Sequence, residues 1–312
     1  MRKKTKLNVI IFAFNRPQHL SQLFSSIMKC NNNGIELSFY IHIDGPRTKQ
    51  EALEVSNVHR LCLNFSKSYK NVLIKRKKNN QGLAQSIFSY VGEIAEMVPH
   101  FVVLEDDLIL HKEFFQFMSD ALFEYEVFDD VWHINGWSFP NIDNGSKTYF
   151  LPHMNSWGWA TWSNKWKNLI TDDEIIFRSM SKNDIYNFNI WGHHNFWRHF
   201  QLNKKGRMQT WAIYWYLSIF INKAICVAPP KSLINNIGND FSGSNSRNNP
   251  AFENDLEWDA EILFELEPKM RHEIKIQLIK FYSNKHFSLK ARGWRLLLSK
   301  YKKIKTFLSL LN

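Results

Sequence analysis

The sequence predicts a mixed α/β fold, with a mainly parallel central sheet flanked by helices and a helical C-terminal extension. Three observations carry this. Apolar runs alternate with amphipathic helical stretches through about the first hundred residues, the pattern of strand-helix units whose parallel sheet is covered on both faces. One of these runs, Phe101 to Leu104, delivers Glu105, Asp106 and Asp107 together at its end. The second half is rich in large rings: Ser156 to Trp166 holds four tryptophans in eleven residues.

Taken in order, Leu7 to Phe14 reads as the opening strand, and Asn15-Arg16-Pro17 as its exit into a helix, since proline suits a first helical turn. That helix runs to about Lys29, with Leu20, Leu23, Phe24 and Ile27 spaced for one face. A second strand, Leu37 to Ile43, ends at Asp44-Gly45-Pro46, and a helix from Lys49 to Leu63 follows. A short strand at Val72 to Ile74 leads through the basic loop Lys75 to Asn80 into a helix from Leu83 to Met97, and then into the strand that ends in the three acids. Beyond a helix from Lys112 to Tyr125, Val131 to Gly136 reads as a strand, Asn141 to Lys147 as a turn-rich loop, and Asp172 to Lys205 as irregular helix. Trp211 to Ile221 is an apolar helix, Ile225 to Ala228 a short strand and Pro229 to Pro250 a long loop, either a lid or a passive surface connection. Leu256 to Tyr282 reads as helical. The expected organisation is a main domain over 1–255 and a helical basic tail over 256–312.

The composition fits an ordered globular chain: 312 residues, 44% hydrophobic and 15% aromatic. The formal charge is +11, yet no helix-turn-helix, zinc spacing or paired aromatic RNA motif accompanies it, which argues against a nucleic-acid partner. The basic start, MRKKTK, runs directly into strand-like residues, so neither a signal peptide nor a spanning anchor is expected. Cys30, Cys62 and Cys226 lack metal-ligand spacing and cannot all pair, which favours reduced thiols and a cytoplasmic location. His193, His194 and His199 do not have zinc spacing either. From His286 onward no acidic residue occurs, and Lys290, Arg292, Arg295, Lys300, Lys302, Lys303 and Lys305 interleave with apolar residues. Such a tail suits the surface of an anionic membrane, or equally a terminal helix docked on its own domain with its lysines in solvent.

Three adjacent carboxylates repel one another unless a cation, a basic side chain or open water compensates them. They read either as a binding edge at a strand end or as an acidic turn capping the next helix. The tryptophans of Ser156 to Trp166 likewise either fill the core or line a pocket. No Gly-x-Gly-x-x-Gly follows the first strand and no phosphate-binding Gly-x-x-x-x-Gly-Lys-Ser/Thr occurs, so any nucleotide must be held by another arrangement.

The ordered set FAFNRP, IDGP, NNQGLAQS, VVLEDDL, SWGWATW, TWAIYW and PPKSLINNIG, from about Leu7 to Phe241, resembles the nucleotide-sugar-dependent glycosyltransferases of fold type A. It is closest in kind to bacterial glycan-assembling members related to the N-acetylglucosaminyltransferase that begins complex N-glycan branching. The resemblance implies a metal-dependent transferase, using Mn2+ or Mg2+, that moves a sugar from a nucleoside diphosphate, UDP by expectation, to a cell-surface or lipid-linked glycan with inversion. It implies nucleotide contacts from Asn15, Arg16, Asp44, Asn80, Gly82, Leu83 and Asp106, and metal ligation by Asp107. Glu105, Trp157, Gly158, Trp159, Asn235, Asn236 and Gly238 are expected to border the donor sugar and acceptor. Where the branching enzyme carries an aspartate base after the tryptophan of TWAIYW, this chain has Ala212; Asp240, in the loop after the late asparagine-glycine motif, is the substitute expected here. The competing expectation is a catalytically silent nucleotide-sugar or glycan-binding protein of the same fold.

Overall fold

Every residue of the first strand from Leu7 to Ala13 is buried, as a strand covered by helices on both faces must be. The computed structural model describes residues 5–238, 256–259 and 261–283. Its first half is built of β1 (Thr5–Ala13), α1 (Pro17–Met28), β2 (Ile35–Ile43), α2 (Lys49–Phe65), β3 (Asn71–Arg76), α3 (Leu83–Ala95) and β4 (His100–Glu105). Each element falls within a few residues of its expected span. Pro17 opens α1, and Leu20, Leu23, Phe24 and Ile27 all face the core. Thr48 caps α2 by accepting from the Glu51 amide, and Gly82, at φ +79°, turns the chain into α3.

The second half runs β5 (Leu108–Leu110), α4 (Phe114–Glu124), β6 (Val131–Asn135), β7 (Tyr149–Leu151), β8 (Trp159–Trp162), α5 (Ser163–Trp166), α6 (Asp173–Ser179), α7 (Lys182–Phe188), α8 (Phe196–Lys204), α9 (Ala212–Ile221), β9 (Ile225–Ala228), β10 (Ile234–Asn236) and α10 (His272–Ser283). The main sheet has the order β3-β2-β1-β4-β8-β6-β9-β7. It is parallel across β3, β2, β1 and β4, whereas β8 runs antiparallel to both of its neighbours, and β7 antiparallel to β9. Strand order reverses between β1 and β4, which makes their C-terminal ends the natural crevice of the sheet.

Three short strands, β5, β7 and β10, are not marked by sequence pattern. The β5 and β10 segments form a separate antiparallel ribbon in which Leu108, Ile109 and Leu110 pair with Asn236, Asn235 and Ile234. Only tertiary pairing identifies strands of three residues, because they are shorter than one readable alternation.

The helix expected over Leu256 to Tyr282 is a correction: only His272–Ser283 is helical. Upstream, the chain gives its backbone bonds to a neighbouring strand edge instead. Thr148 N–H donates to Leu263 O at 2.9 Å, Leu263 N–H to Ser146 O at 2.9 Å, and the Tyr125 hydroxyl to Glu265 O at 3.0 Å. The Trp258 ring stacks on His111 with centroids 4.4 Å apart. In α10, Ile274, Leu278, Phe281 and Tyr282 form the buried face, and the Tyr282 hydroxyl meets His153 Nε2 at 2.9 Å. No described helix is long and apolar enough to cross a membrane. The basic stretch from His286 onward and Asp240 lie outside the described residues.

Most of the tryptophan-rich segment is core. Trp159 is fully buried, with its ring centroid 5.3 Å from Trp211, 5.6 Å from Trp166 and 5.2 Å from His133. Trp215 extends the cluster, 4.9 Å from Trp166.

Candidate functional site

The register of the parallel strands determines what meets at that edge. Ala13 pairs with Ile43, and Phe12 with Glu105, so the residues just past β1, β2 and β4 emerge side by side. They open onto a cavity of about 750 Å³. Of the residues expected in the site, Asn15, Arg16, Asp44, Asn80, Gly82, Leu83, Glu105, Asp106, Asp107, Trp157 and Asn236 all line it.

Arg16 occupies the N-cap position of α1 without making a side-chain cap, and its guanidinium turns to the acids. It donates to Asp106, and its Nη1 lies 2.9 Å from Asp107 Oδ2. Burial alone would lower the Arg16 pKa, but Asp106 and Asp107 outweigh it and hold the group charged. Burial, opposed by Arg16, raises the Asp106 carboxyl above the usual carboxylate range. Glu105 is raised further, first by burial and then by its two acidic neighbours; the Trp211 indole, which donates to it, acts the other way. The triplet is therefore a compensated cluster and not a solvated helix cap: two of its members share one cation, and Glu105 is left with capacity to accept.

Asp107 is also approached from the far end of the chain. The β5–β10 ribbon carries Asn236 back to it, with Nδ2 3.4 Å from Asp107 Oδ1, and Ile237 N–H donates to Asp107 O at 2.9 Å. Gly238 follows, and a Cβ there would fall 2.1 Å from Asp107 Oδ2. Glycine at 238 is thus what lets the backbone approach the acid this closely.

Asp44, expected at the nucleotide, lines the cavity and also has a structural task. Its carboxylate accepts from Gly45 N at 2.8 Å, Gln81 N at 2.9 Å, Asn80 Nδ2 at 2.9 Å and Gly82 N at 2.9 Å. These four donors meet the capacity of both oxygens. Asp44 therefore ties the loop before α3 to the end of β2 and shapes the wall of the cavity.

Of the four tryptophans in the aromatic segment, only Trp157 lines the cavity; it is partly exposed and packs edge-on against Trp137, 5.6 Å away. Trp159 is a correction to the sequence expectation, because a ring at 0% exposure offers no face to a sugar. Gly158 contributes a tight backbone passage: its carbonyl accepts from Gly136 N–H at 2.7 Å, and a Cβ at 158 would meet the Ile234 side chain at 2.7 Å. Asn235 is engaged in the ribbon and does not line the cavity.

Other lining residues were not among those expected in the site. His42 and Ser86 form part of the wall beside Asp44, and residues 206–212 form another part, including Arg207, Gln209 and Ala212. His42 was legible in principle: two positions before Asp44 on a strand, it shares Asp44's face. Ser86 lies one helical turn past Gly82. Arg47, which also lines the cavity, is paired with Glu51 and lies over Phe14, 5.1 Å from its ring centroid.

Among the described residues, no three or more His, Cys, Asp or Glu side chains form a cluster able to hold a metal ion. Asp107 still fits the protein's share of a hard-cation site. Its Oδ1 carries only one long amide contact, and ions such as Mg2+ usually take one or two carboxylates and complete their shell from substrate phosphates and water.

A scan of protein-family models finds no match, and a search of curated proteins finds no relative. Among solved structures, the chain is similar to S. aureus TarS at 14% identity and TM-score 0.33, covering 45% of this chain and 23% of that one. For S. aureus TarS 1–349 the identity is 12% and the TM-score 0.44, covering 74% of this chain and 60% of that one. For the mannosyltransferase PcManGT from Pyrobaculum calidifontis, in complex with GDP-Man and Mn2+, identity is 10%, TM-score 0.39 and coverage 69% of each chain. The chain therefore spans only part of the TarS chains it matches.

Proposed function

We propose that this protein is a glycosyltransferase that moves a sugar from a nucleoside diphosphate to a hydroxyl of a glycan or lipid-linked acceptor. The observation that carries the proposal is the convergence of Arg16, Asp106 and Asp107 at the reversal point of a parallel sheet, facing a cavity large enough for a nucleotide sugar. A divalent ion, Mn2+ or Mg2+, would be held by Asp107 with Asn236 alongside, and when bound it supplies charge neutralisation for a departing diphosphate. Arg16 holds the carboxylate of Asp107 in place. Glu105 has acceptor capacity for a sugar hydroxyl, and Trp157 offers an aromatic face for a pyranose ring.

In the transfer, the acceptor oxygen bonds to the anomeric carbon as the bond from that carbon to the diphosphate breaks, and the hydroxyl proton passes to a base. Ala212 lines the cavity and accepts no proton, so we assign the base to Asp240. A UDP donor, inversion and action at the cytoplasmic face of a membrane are carried over from the sequence resemblance and the basic tail. The second function, a silent nucleotide-sugar-binding protein, is favoured by Ala212 alone.

The test is a binding screen of nucleotide sugars with and without Mn2+ or Mg2+, on the native chain and on Asp107→Ala, followed by nucleoside diphosphate release with acceptors supplied. One nucleotide sugar whose affinity requires both the ion and Asp107 is expected. Release of diphosphate separates the enzyme from the silent binder, and failure of every nucleotide sugar to bind the folded native chain refutes both. Binding to anionic vesicles, lost on deletion of 293–312, tests the membrane assignment.

A further inference from the structure

At the His42 end, the cavity wall carries polar groups that the protein leaves unpaired. His42 and Ser86 are each 1% exposed, and both line the cavity. Neither ring nitrogen of His42 has a hydrogen-bond partner, nor has Ser86 Oγ. The Tyr90 ring packs behind His42, centroids 5.1 Å apart, and its buried hydroxyl is also without a partner. Native proteins rarely leave such groups unmet, because a buried unpaired polar group forfeits the hydrogen bonds it made to water. Three neighbouring side chains with this deficit, two of them in a ligand-sized cavity, point to a group supplied from outside the fold.

The chemistry of that group follows from its surroundings. Asp44, the acidic side chain nearest in sequence, is already satisfied by four protein donors. Burial holds the His42 ring neutral, its pKa pushed down to about 4. A neutral imidazole presents one donor and one acceptor, and a serine hydroxyl presents either. Such a set suits an uncharged planar edge on which donors and acceptors alternate; the charged neighbours, Lys75 and Lys77, make no bond to the two unpaired groups, and Lys75 is paired with Glu93. Of the parts of a nucleotide sugar, the nucleobase has that edge.

We infer that His42 and Ser86, with Tyr90 behind them, determine which nucleobase the site accepts, an inference that rests on the nucleotide-binding assignment of the cavity. Asp44 then acts indirectly, by setting the loop that borders the base.

The experiment measures the affinities of UDP, GDP, CDP and ADP for the native protein, His42→Phe and Ser86→Ala, with thermal unfolding of each. The native chain is expected to prefer one nucleotide, and each variant to lose at least tenfold of that preference. The Tm of His42→Phe is expected to hold or rise, because an apolar ring removes an unmet buried polar group. A preference unchanged in both folded variants would overturn the inference while leaving the nucleotide site standing. A fall in Tm with affinities for all four nucleotides reduced equally would also overturn it, by showing a purely structural role. If no nucleotide bound the folded native chain, the assignment of the cavity itself would fail, and this inference with it.

Discussion

Replacing Arg16 with glutamine removes the cation that, among the described residues, Asp106 and Asp107 share, and leaves three adjacent carboxylates in a largely desolvated corner. The Arg16 side chain is 18% exposed and those of Asp106 and Asp107 are 4% and 10%. Breaking a buried ion pair by removing one partner costs about 3–5 kcal/mol. The orphaned Asp106 can limit that loss by taking up a proton, at about 1.4 kcal/mol per pH unit above its raised pKa, so about 3 kcal/mol at pH 8 is the working figure. The sign of the pH dependence is fixed. In the variant the folded pKa of Asp106, already raised by burial, loses the opposing pull of Arg16 and lies still further above the unfolded value, so the deficit is fully present above the folded pKa. It shrinks as pH falls through the folded pKa toward the unfolded one. Urea denaturation at pH 8 and pH 5 should show the difference between native and variant falling from about 3 to about 1 kcal/mol. Arg16→Lys should recover part of the loss, since a single ammonium cannot reproduce the two-pronged contact. A deficit that is absent, or equal at both pH values, would refute the electrostatic account of the triplet.

Gly238→Ala should displace the Asp107 carboxylate and reduce ion-dependent nucleotide-sugar affinity at least tenfold, with a loss of unfolding free energy of about 1–3 kcal/mol because the buried position must accommodate a new methyl group. Titration calorimetry with and without Mn2+ reads the first, and urea denaturation the second. Trp157→Ala and Trp159→Ala should separate function from folding: the first weakens ligand binding with little loss of stability, while the second costs about 3–5 kcal/mol through the cavity it leaves. His133 should make the fold acid-sensitive. Its Nδ1 accepts from Trp215 Nε1 at 3.1 Å and its Nε2 donates to Asn155 O at 3.1 Å, and burial pushes its pKa down to about 3. Between about pH 6.5, where the unfolded ring titrates, and about 3, the unfolded chain holds a proton the folded chain does not, so stability should fall by about 1.4 kcal/mol per pH unit. A stability profile flat from pH 7 to 5 would show the ring to be protonated in the fold.

The first half of the fold was legible because its strands are long, apolar and separated by helices with clear starts, such as Pro17 and Gly82. The acid triplet was legible too, as was its place at a strand end. What pattern could not show was the sharing of roles. Asp44 and Asp107 look alike in sequence, yet four donors saturate one while the other keeps an oxygen nearly free, a difference set by the backbone of Gln81 and Gly82. Trp157 and Trp159 are also alike until β8 places one ring in the cavity and the other in the core. His42 was hidden by its ordinary position inside an apolar strand. The extended run before α10 was misassigned because its partner, the edge at Ser146 to Thr148, is more than one hundred residues distant, as the 117-residue separation of Glu265 and Thr148 shows.

The contact between Asn236 and Asp107 spans 129 residues of chain. On a chain made from its N-terminus, the parallel strands and the acid triplet are synthesised long before the ribbon partner that completes them. Contacts so distant in sequence form late in folding, since the intervening loop must be closed first. An incomplete chain therefore exhibits an uncovered acidic corner but no finished site, and ligand-binding competence arrives as one of the last events of folding.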